Sequence, residues 1–238
     1  YVKVNYSLLE SVQNGLTDFI EKKERQTAPI LPEYSEMAKK LITILGMNWF
    51  QAKGEAEGLC ASLCYHGMVD AVLSEDTDTL AYGAPFLFCK IDLQTESLSS
   101  VCYQDILKNS GYTSKQFTDL CILLSCDYND RIKGYAPDGK KHKKAAAIGV
   151  KGAVAMMTEY KSLEKAEPYM LDPTPLKYQR CRELFTPTTK DDLKRNNFKI
   201  ESQREVNFVA LKEFLSEHTI RINMNYITKQ FETVKFST

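Results

Sequence analysis

The sequence lacks the features of a membrane-spanning, zinc-binding or disulfide-bonded protein. No apolar run approaches the ~20 residues that a helix needs to cross a bilayer, and no signal peptide is visible. The 7 cysteines form no CxxC pair and the 3 histidines lie far apart, which argues against a zinc site. Most of the cysteines lie in apolar stretches, so we predict small core residues in a reducing, intracellular compartment.

The chain also has no net charge at neutral pH. The chain has 31 basic and 31 acidic residues and a formal net charge of +0. A nucleic-acid enzyme need not be basic overall if its acids and its bases occupy different surfaces. The 238 residues can bury the core of one large or two small domains. Because the chain begins with Tyr1 instead of Met, we expect a processed protein or a piece of a longer one.

Three short acidic motifs are present, and each follows an apolar run. The first follows residues 41–50 (LITILGMNWF), the second follows residues 69–73 (VDAVL), and the third ends an apolar helical segment. Because buried strands of an α/β sheet end at a common edge, we expect the acids to gather there. The five carboxylates, in chain order, are those of Glu55, Glu57, Asp76, Asp78 and Asp127.

Carboxylates gathered at one edge repel one another unless hard divalent cations neutralise them. Mg²⁺ and Mn²⁺ prefer such oxygen ligands. Two ions about 4 Å apart would clamp the attacking and leaving oxygens of a phosphodiester. The alternative is that these are ordinary surface acids at helix N-termini, where negative charge is mildly stabilising.

Strands and helices alternate over residues 36–130, which predicts a layered α/β core with a mostly parallel sheet. The predicted helices are residues 36–45, 54–66, 104–109 and 114–126, with Glu55 and Glu57 in the first turn of the second. The predicted strands are residues 47–51 and 69–73 and a hairpin of residues 85–92 and 97–103.

Residues 131–238 have a different pattern. Residues 148–152 (IGVKG) precede an apolar helix, and Gly149 and Gly152 would let the backbone approach a phosphate while Lys151 adds charge. Residues 168–189 are predicted to be loop-rich, and residues 190–196, 206–217 and 223–230 to form a small bundle of helices.

A basic insert precedes this glycine motif. Residues 135–147 form the most basic patch of the chain, and we predict a loop that contacts phosphates. A solvated loop without such contacts is the alternative. The basic side chains are those of Lys140, Lys141, Lys143 and Lys144.

The motifs resemble, in order and spacing, the flap endonuclease branch of the XPG-type structure-specific 5′-nucleases. The matching phrases are GEAEGLCASL (54–63), SEDTDTL (74–80), YGAP (82–85), QFTDLCILLSCDY (116–128) and IGVKGAVAMM (148–157). The resemblance implies a PIN-like (resolvase-like) α/β core at residues 36–130, then a helix–hairpin–helix element and C-terminal helices at residues 131–238. Residues 1–35 would keep part of a helical arch, or would be a solvated helix packed on the core.

The resemblance also implies site roles. It gives Glu57 and Asp76 to the first metal ion, with Glu55 bridging through water, and gives Asp78 and Asp127 mainly to the second. A monovalent cation such as K⁺ would bind at the hairpin, although the basic insert interrupts the usual connection to it. The sliding-clamp tail of the family is not seen, because Gln230 lacks the required paired aromatic residues.

The two N-terminal carboxylates of the family are not found before residue 50. We therefore expect a longer protein or a separate chain to complete the sheet and the site. The predicted function is metal-dependent cleavage of flapped or branched DNA at the nucleus or another site of replication, with 5′ exonuclease activity as a further possibility. Two alternatives stay open: a non-catalytic DNA-binding or assembly subunit of the same fold, and a nuclease that acts on RNA.

Overall fold

The computed structural model describes residues 31–92, 94–95, 97–133, 147–198, 200 and 204–233. The predicted arch remnant at residues 6–25 lies outside this part of the chain, as do Lys140, Lys141, Lys143 and Lys144. Backbone contacts divide the chain into two compact units. The smaller combines Tyr1–Trp49 with Glu201–Thr238, and the larger is Phe50–Ile200.

Helices account for most of the described secondary structure. In chain order they are α1 (Pro32–Ile44), α2 (Ala56–Tyr65), α3 (Asp78–Ala81), α4 (Tyr103–Ser110), α5 (Ser114–Leu124), α6 (Val150–Tyr160), α7 (Leu163–Ala166), α8 (Tyr178–Leu184), α9 (Lys190–Arg195), α10 (Phe208–Glu217) and α11 (Met224–Thr233). Two 3₁₀ turns, Glu167–Tyr169 and Thr174–Leu176, connect α7 to α8. No helix in the described ranges has the length and apolar content to cross a membrane.

The larger unit contains a three-stranded sheet in the order β1-β2-β3, with β1 at Val72–Leu73, β2 at Phe86–Asp92 and β3 at Ser97–Cys102. β1 pairs in parallel with β2, so that Val72 lies opposite Leu87. β2 and β3 form the predicted antiparallel hairpin, with an irregularity between Phe88 and Lys90. One parallel and one antiparallel pairing are therefore present among the described strands.

Apolar side chains of the sheet and the helices share one core in this unit. Leu87 of β2, Ile122 and Leu123 of α5, and Met156 and Met157 of α6 are all fully buried. Burial of each such side chain stabilises the fold by about 1.5–3 kcal/mol. The core thus fixes the ends of β1 and α5, from which the acidic motifs emerge.

A buried ion pair ties three helices of this unit together. Asp119 of α5 is completely buried, and Arg182 of α8 donates hydrogen bonds of 2.7 Å to each of its carboxylate oxygens. The same guanidinium also binds Glu164 of α7. Because a buried carboxylate without a partner is costly, this pairing fixes the packing of α5 against α8.

One local prediction was wrong. Residues 47–51 are not a strand, because strand conformation needs a neighbouring strand and no described strand pairs with them. Residues 168–189 contain the turns and irregular segments expected of a loop-rich region, but they also contain α8 (Tyr178–Leu184), which was not predicted. Prolines on either side obscured it: Pro173 and Pro175 lie before α8 and Pro187 lies after it.

The smaller unit packs α1 against α10. Leu211, Phe214 and Leu215 of α10 are its buried core, and Leu41 and Ile44 of α1 pack against them. Lys40 and Glu217 form an exposed ion pair of 3.1 Å between the same helices. Residues at both ends of the described chain therefore share a core, a grouping that differs from the three consecutive segments predicted from sequence.

The cysteines are free thiols. Cys64 and Cys181 are buried, as predicted for small core residues, whereas Cys60 is exposed on α2. Cys89, Cys102, Cys121 and Cys126 are half-buried. Most of these thiols therefore pack partly or wholly against apolar neighbours.

Candidate metal centre

Glu55 and Glu57 lie at the start of α2. Glu57 is in the first turn, as predicted, where the positive end of the helix dipole favours its negative charge. Glu55 is instead the residue before the helix, with extended backbone angles of φ −63° and ψ 134°. The prediction that both lie inside the first turn was therefore wrong for Glu55, whose side chain is exposed.

Asp76 and Asp78 follow β1 in a turn that hydrogen bonds hold together. The backbone N–H of Asp76 donates to Ser74 Oγ at 3.0 Å, and that of Asp78 donates to Asp76 Oδ1 at 2.8 Å. Buried Thr79 donates its hydroxyl to the carbonyl of Asp76 at 3.0 Å. These bonds fix Asp78 as the first residue of α3 and hold both carboxylates beyond the strand end.

Asp127 follows α5 in a turn organised by Asn129. The helix ends at Leu124, after which Ser125 has a positive φ of 73°. Asn129 is 8% exposed and accepts a 2.8 Å hydrogen bond from the N–H of Cys126. Its amide donates to the carbonyls of Ile122 and Leu176 at 2.8 and 3.0 Å. Asp127 therefore projects as an exposed side chain from a rigid turn.

Four of the five acids lie within electrostatic reach of one another. Burial raises the pKa of Asp78, and the negative charges of three acids raise it further. The three acids are Glu57 on α2, Asp76 in the turn after β1, and Asp127 in the turn after α5.

The donor chemistry of this group fits a divalent cation. Carboxylate oxygens are the ligands that Mg²⁺ and Mn²⁺ prefer, and the repulsion that raises the pKa of Asp78 is what such a cation relieves. The group is not a closed ligand shell: among the residues that the structure describes, no three Asp, Glu, His or Cys side chains converge on one ion-sized point.

Two tyrosines beside the carboxylates were not assigned a role from sequence. Tyr82 and Tyr128 join their hydroxyl oxygens in a 2.5 Å hydrogen bond. Burial raises the pKa of both, and the charges of Glu55 and Asp78 contribute to both increases. The available signal was position: Tyr82 follows the second acidic motif and Tyr128 follows Asp127 directly.

Comparison with known proteins places these motifs in a family. The XPG I-region matches residues 46–127, a span that contains all five carboxylates. Flap endonuclease 1 of Entamoeba dispar is 30% identical over 240 residues, which cover 98% of this chain and 59% of that protein. Flap endonuclease 1-A of Oryza sativa subsp. japonica is 32% identical over 97% of this chain and 58% of its own length.

The chain is similar to flap endonucleases over nearly its whole length. It spans somewhat less than two thirds of the length of these curated relatives. The predicted resemblance to XPG-type nucleases is confirmed.

Solved structures show that this chain has the fold predicted for it. Flap endonuclease-1 from Methanococcus jannaschii superposes with a TM-score of 0.65 at 19% identity, over 91% of this chain and 62% of that one. The catalytic core of Rad2 in complex with DNA substrate gives 0.56 at 16% identity, over 85% and 68%. GEN1 in complex with product DNA and Mg²⁺ gives 0.55 at 21% identity, over 76% and 51%. The α/β fold class is therefore confirmed.

The glycine motif, residues 148–152, lies at the start of α6. Gly149 immediately precedes the helix, and a Cβ there would meet no atom within 4 Å. Gly149, Val150 and Lys151 are all exposed, whereas Gly152 packs near Ile148. The free N–H groups of the first turn are therefore accessible, as contact with a phosphate requires.

The two ends of the basic insert are held together. The N–H of Ile148 donates to the carbonyl of Ile132 at 3.0 Å, and Lys133 and Ala147 form an isolated antiparallel β-bridge. Ile132 and Ile148 are both buried. The core therefore continues directly into the glycine motif on the far side of the insert.

Proposed function

We propose that this chain carries the catalytic carboxylates of a divalent-metal-dependent, structure-specific 5′ nuclease. Its substrate would be flapped or branched DNA in replication, repair or recombination, with 5′ exonuclease activity in addition. The observation that carries the proposal is that Asp78 lies within electrostatic reach of Asp76 in its own turn and of Glu57 and Asp127, which come from two other segments. Ordinary helix-terminal acids would have no reason to gather in this way.

The proposed metal ligands are Glu57, Asp76, Asp78 and Asp127, with Glu55 at the margin of the group. When bound, two Mg²⁺ or Mn²⁺ ions would supply a nucleophilic hydroxide and stabilise charge on the phosphate. The protein's own contribution is to hold the carboxylates on rigid turns. The Ser74 and Asn129 hydrogen bonds perform this role, since they fix the backbone at Asp76 and next to Asp127.

The exposed start of α6 is proposed to bind the DNA backbone. N–H groups at Gly149 and beyond would donate to a phosphate while Lys151 adds positive charge, and neither contact reads base sequence. Lys140, Lys141, Lys143 and Lys144 would extend this surface, and K⁺ would bind at the hairpin. A solved GEN1 structure is described as binding potassium, which supports that choice of ion.

We also propose that a further strand completes the sheet beside β1. Among the described strands β1 pairs only with β2, and Leu73 is 59% exposed. A strand from an N-terminal region or from a separate chain would cover this edge and bring further carboxylates to the site. The enzyme would act where DNA is replicated, such as the nucleus, in a reducing compartment that keeps its thiols free.

The test is cleavage of a labelled 5′-flap duplex with Mg²⁺ or Mn²⁺, alongside a linear duplex, a single strand and a matched RNA flap. The chain is assayed alone and with a polypeptide that supplies the proposed N-terminal region. Cutting near the flap junction is expected, and Asp76→Asn should reduce it by at least about 100-fold while flap affinity stays within about twofold.

The matched control is Asp105→Asn, which removes an exposed acid in the first turn of α4. This variant should cut at the wild-type rate. Equal loss of cutting in both variants, or loss of binding together with cutting in Asp76→Asn, would contradict the assignment of the metal site. Preferred cutting of the RNA flap would change the substrate class.

One observation favours a second function. Because no three metal-ligating side chains converge among the described residues, a non-catalytic DNA-binding or assembly subunit of the same fold is the competing proposal. Tight flap binding without Mn²⁺-dependent cutting, even with the N-terminal polypeptide present, would support it.

A further inference from the structure

The Tyr82–Tyr128 pair joins the segments that carry the carboxylates. Tyr82 is the residue after α3, the short helix that begins at Asp78, and Tyr128 is the residue after Asp127. The 2.5 Å bond between their hydroxyl oxygens spans 46 positions of sequence. It therefore links the turn after α5 to the segment after β1.

The ring of Tyr82 also reaches α2. Gly58 follows Glu57 directly, and a Cβ at Gly58 would lie 2.9 Å from Cε1 of Tyr82. Only a glycine lets the tyrosine ring approach this closely. The first turn of α2, with Glu57 in it, is thus set against the same side chain.

The ring of Phe185 packs against the rings of both Tyr82 and Tyr128. It packs edge-on against Tyr82 with centroids 4.9 Å apart and against Tyr128 with centroids 5.7 Å apart. Tyr82 is 5% exposed and Phe185 is 3% exposed. With both rings held, the hydroxyl contact has little freedom to adjust.

One cavity of about 370 Å³ is lined by Glu55, Gly58, Tyr82 and Tyr128. Glu55 therefore lies near the tyrosine pair. Both tyrosines border the space beside Glu55 while Phe185 packs against their rings.

We infer that Tyr82 and Tyr128 are positioning residues that set the spacing between Asp127 and the carboxylates at Asp78 and Glu57. This inference rests on the proposed metal-dependent function. Neither tyrosine needs to contact metal or DNA, because each acts through the segment to which it is attached. Loss of the bond would let the Asp127 turn move relative to α2 and α3, and the ligands would bind a shared ion less well.

The variants are Tyr82→Phe, Tyr128→Phe and the double variant, each of which removes hydroxyl groups and keeps the rings. The control is Tyr178→Phe. The Tyr178 hydroxyl donates a 2.8 Å hydrogen bond to Glu167, so the control also loses a tyrosine hydrogen bond in the same unit.

Mn²⁺ affinity is measured by calorimetry or by the free Mn²⁺ spin-resonance signal, in the presence of flap DNA and the N-terminal polypeptide. Each single variant is expected to raise the Mn²⁺ dissociation constant roughly three- to tenfold, and the double variant no more than either single, because all three lose the same bond. Tyr178→Phe should leave it unchanged. The Mn²⁺ concentration for half-maximal cutting should shift in parallel, with little change in the rate at saturating Mn²⁺.

Thermal unfolding of the metal-free proteins separates positioning from stability. Equal losses of stability in Tyr82→Phe and Tyr178→Phe, with Mn²⁺ affinity changed only in the former, would support the inference. Wild-type Mn²⁺ affinity in both single variants would overturn it. No Mn²⁺ binding by the wild-type protein would instead overturn the proposed function itself.

Discussion

At the scale of single residues, one buried ion network contributes more to the stability of the fold than any single acid of the predicted site. Asp119 is completely buried, and Arg182 satisfies it with two hydrogen bonds while also binding the half-exposed Glu164. Removing a partner from such a buried pair typically costs about 3–5 kcal/mol, because the remaining charge is left unpaired. The network was not foreseen, since Asp119 looks like any polar residue of an amphipathic helix.

Glu164 gives this network a pH dependence. Hydrogen bonding from Arg182 lowers the pKa of Glu164 from its ordinary 4.5 to about 2. A lowered pKa stabilises the folded state above pH 4.5, and that contribution is lost as pH falls through about 2. Glu164→Gln should therefore be less stable than wild type at pH 7 by about 1 kcal/mol, a figure reduced for solvent screening. The difference should shrink between pH 4.5 and 2.

Urea unfolding of both proteins at pH 7, 4 and 2.5 measures this difference. Glu183→Gln is the control, because it removes an exposed ion pair of 3.0 Å with Arg180, a type of pair that contributes little. A stability gap for Glu164→Gln that stays constant down to pH 2.5 would mean that its charge is not the cause.

At the scale of elements, local signals predicted the helices well and the strands less well. The capping box of α5, in which Thr113 and Gln116 exchange hydrogen bonds, is visible in the sequence as a Thr followed three positions later by Gln. Residues 47–51 have the composition of a strand, but a strand forms only when another segment pairs with it. No described strand pairs with residues 47–51. Predictions of strands therefore depend on tertiary context that the sequence does not display.

Gly46 marks the end of α1 and makes the closest backbone approach among the described glycines. It has a positive φ of 73°, and a Cβ there would lie 2.2 Å from the carbonyl oxygen of Arg204. Gly46→Ala should destabilise the smaller unit by about 3 kcal/mol, because left-handed strain and displacement of the Arg204 backbone add together. Denaturant unfolding followed by hydrogen exchange at α1 and α10 measures this loss.

Gly67 provides the comparison. It also has a positive φ, of 66°, but a Cβ there would meet no atom within 4 Å. Gly67→Ala should cost its own unit only about 1 kcal/mol, from backbone strain alone. Similar losses in the two variants would mean that the approach to Arg204 is not the cause of the larger effect.

At the scale of the whole molecule, the described residues form two separate cores. Every residue of the larger core lies within Phe50–Ile200, and the core of the smaller unit is formed by residues 37–45 and 206–227. The order of the motifs along the chain did not predict this grouping. It arises because α1 and α10 each present an apolar face that the other covers.

Native-state hydrogen exchange should resolve the two cores as separate cooperative units. Met157→Ala creates a cavity in the larger core and should speed exchange in α5 and α6 while leaving α10 unchanged. Leu215→Ala should do the reverse. Faster exchange throughout the chain in either variant would show one cooperative unit instead of two.

The sequence by itself determined the α/β class and most helices, and it predicted five candidate carboxylates, because periodicity, capping and acidic motifs are local patterns. Only the tertiary structure decided which of them come together. It brought Glu57, Asp76, Asp78 and Asp127 within electrostatic reach and left Glu55 at the cavity wall. It also joined Tyr82 to Tyr128 and the two ends of the described chain into one core, since such contacts depend on burial between distant segments.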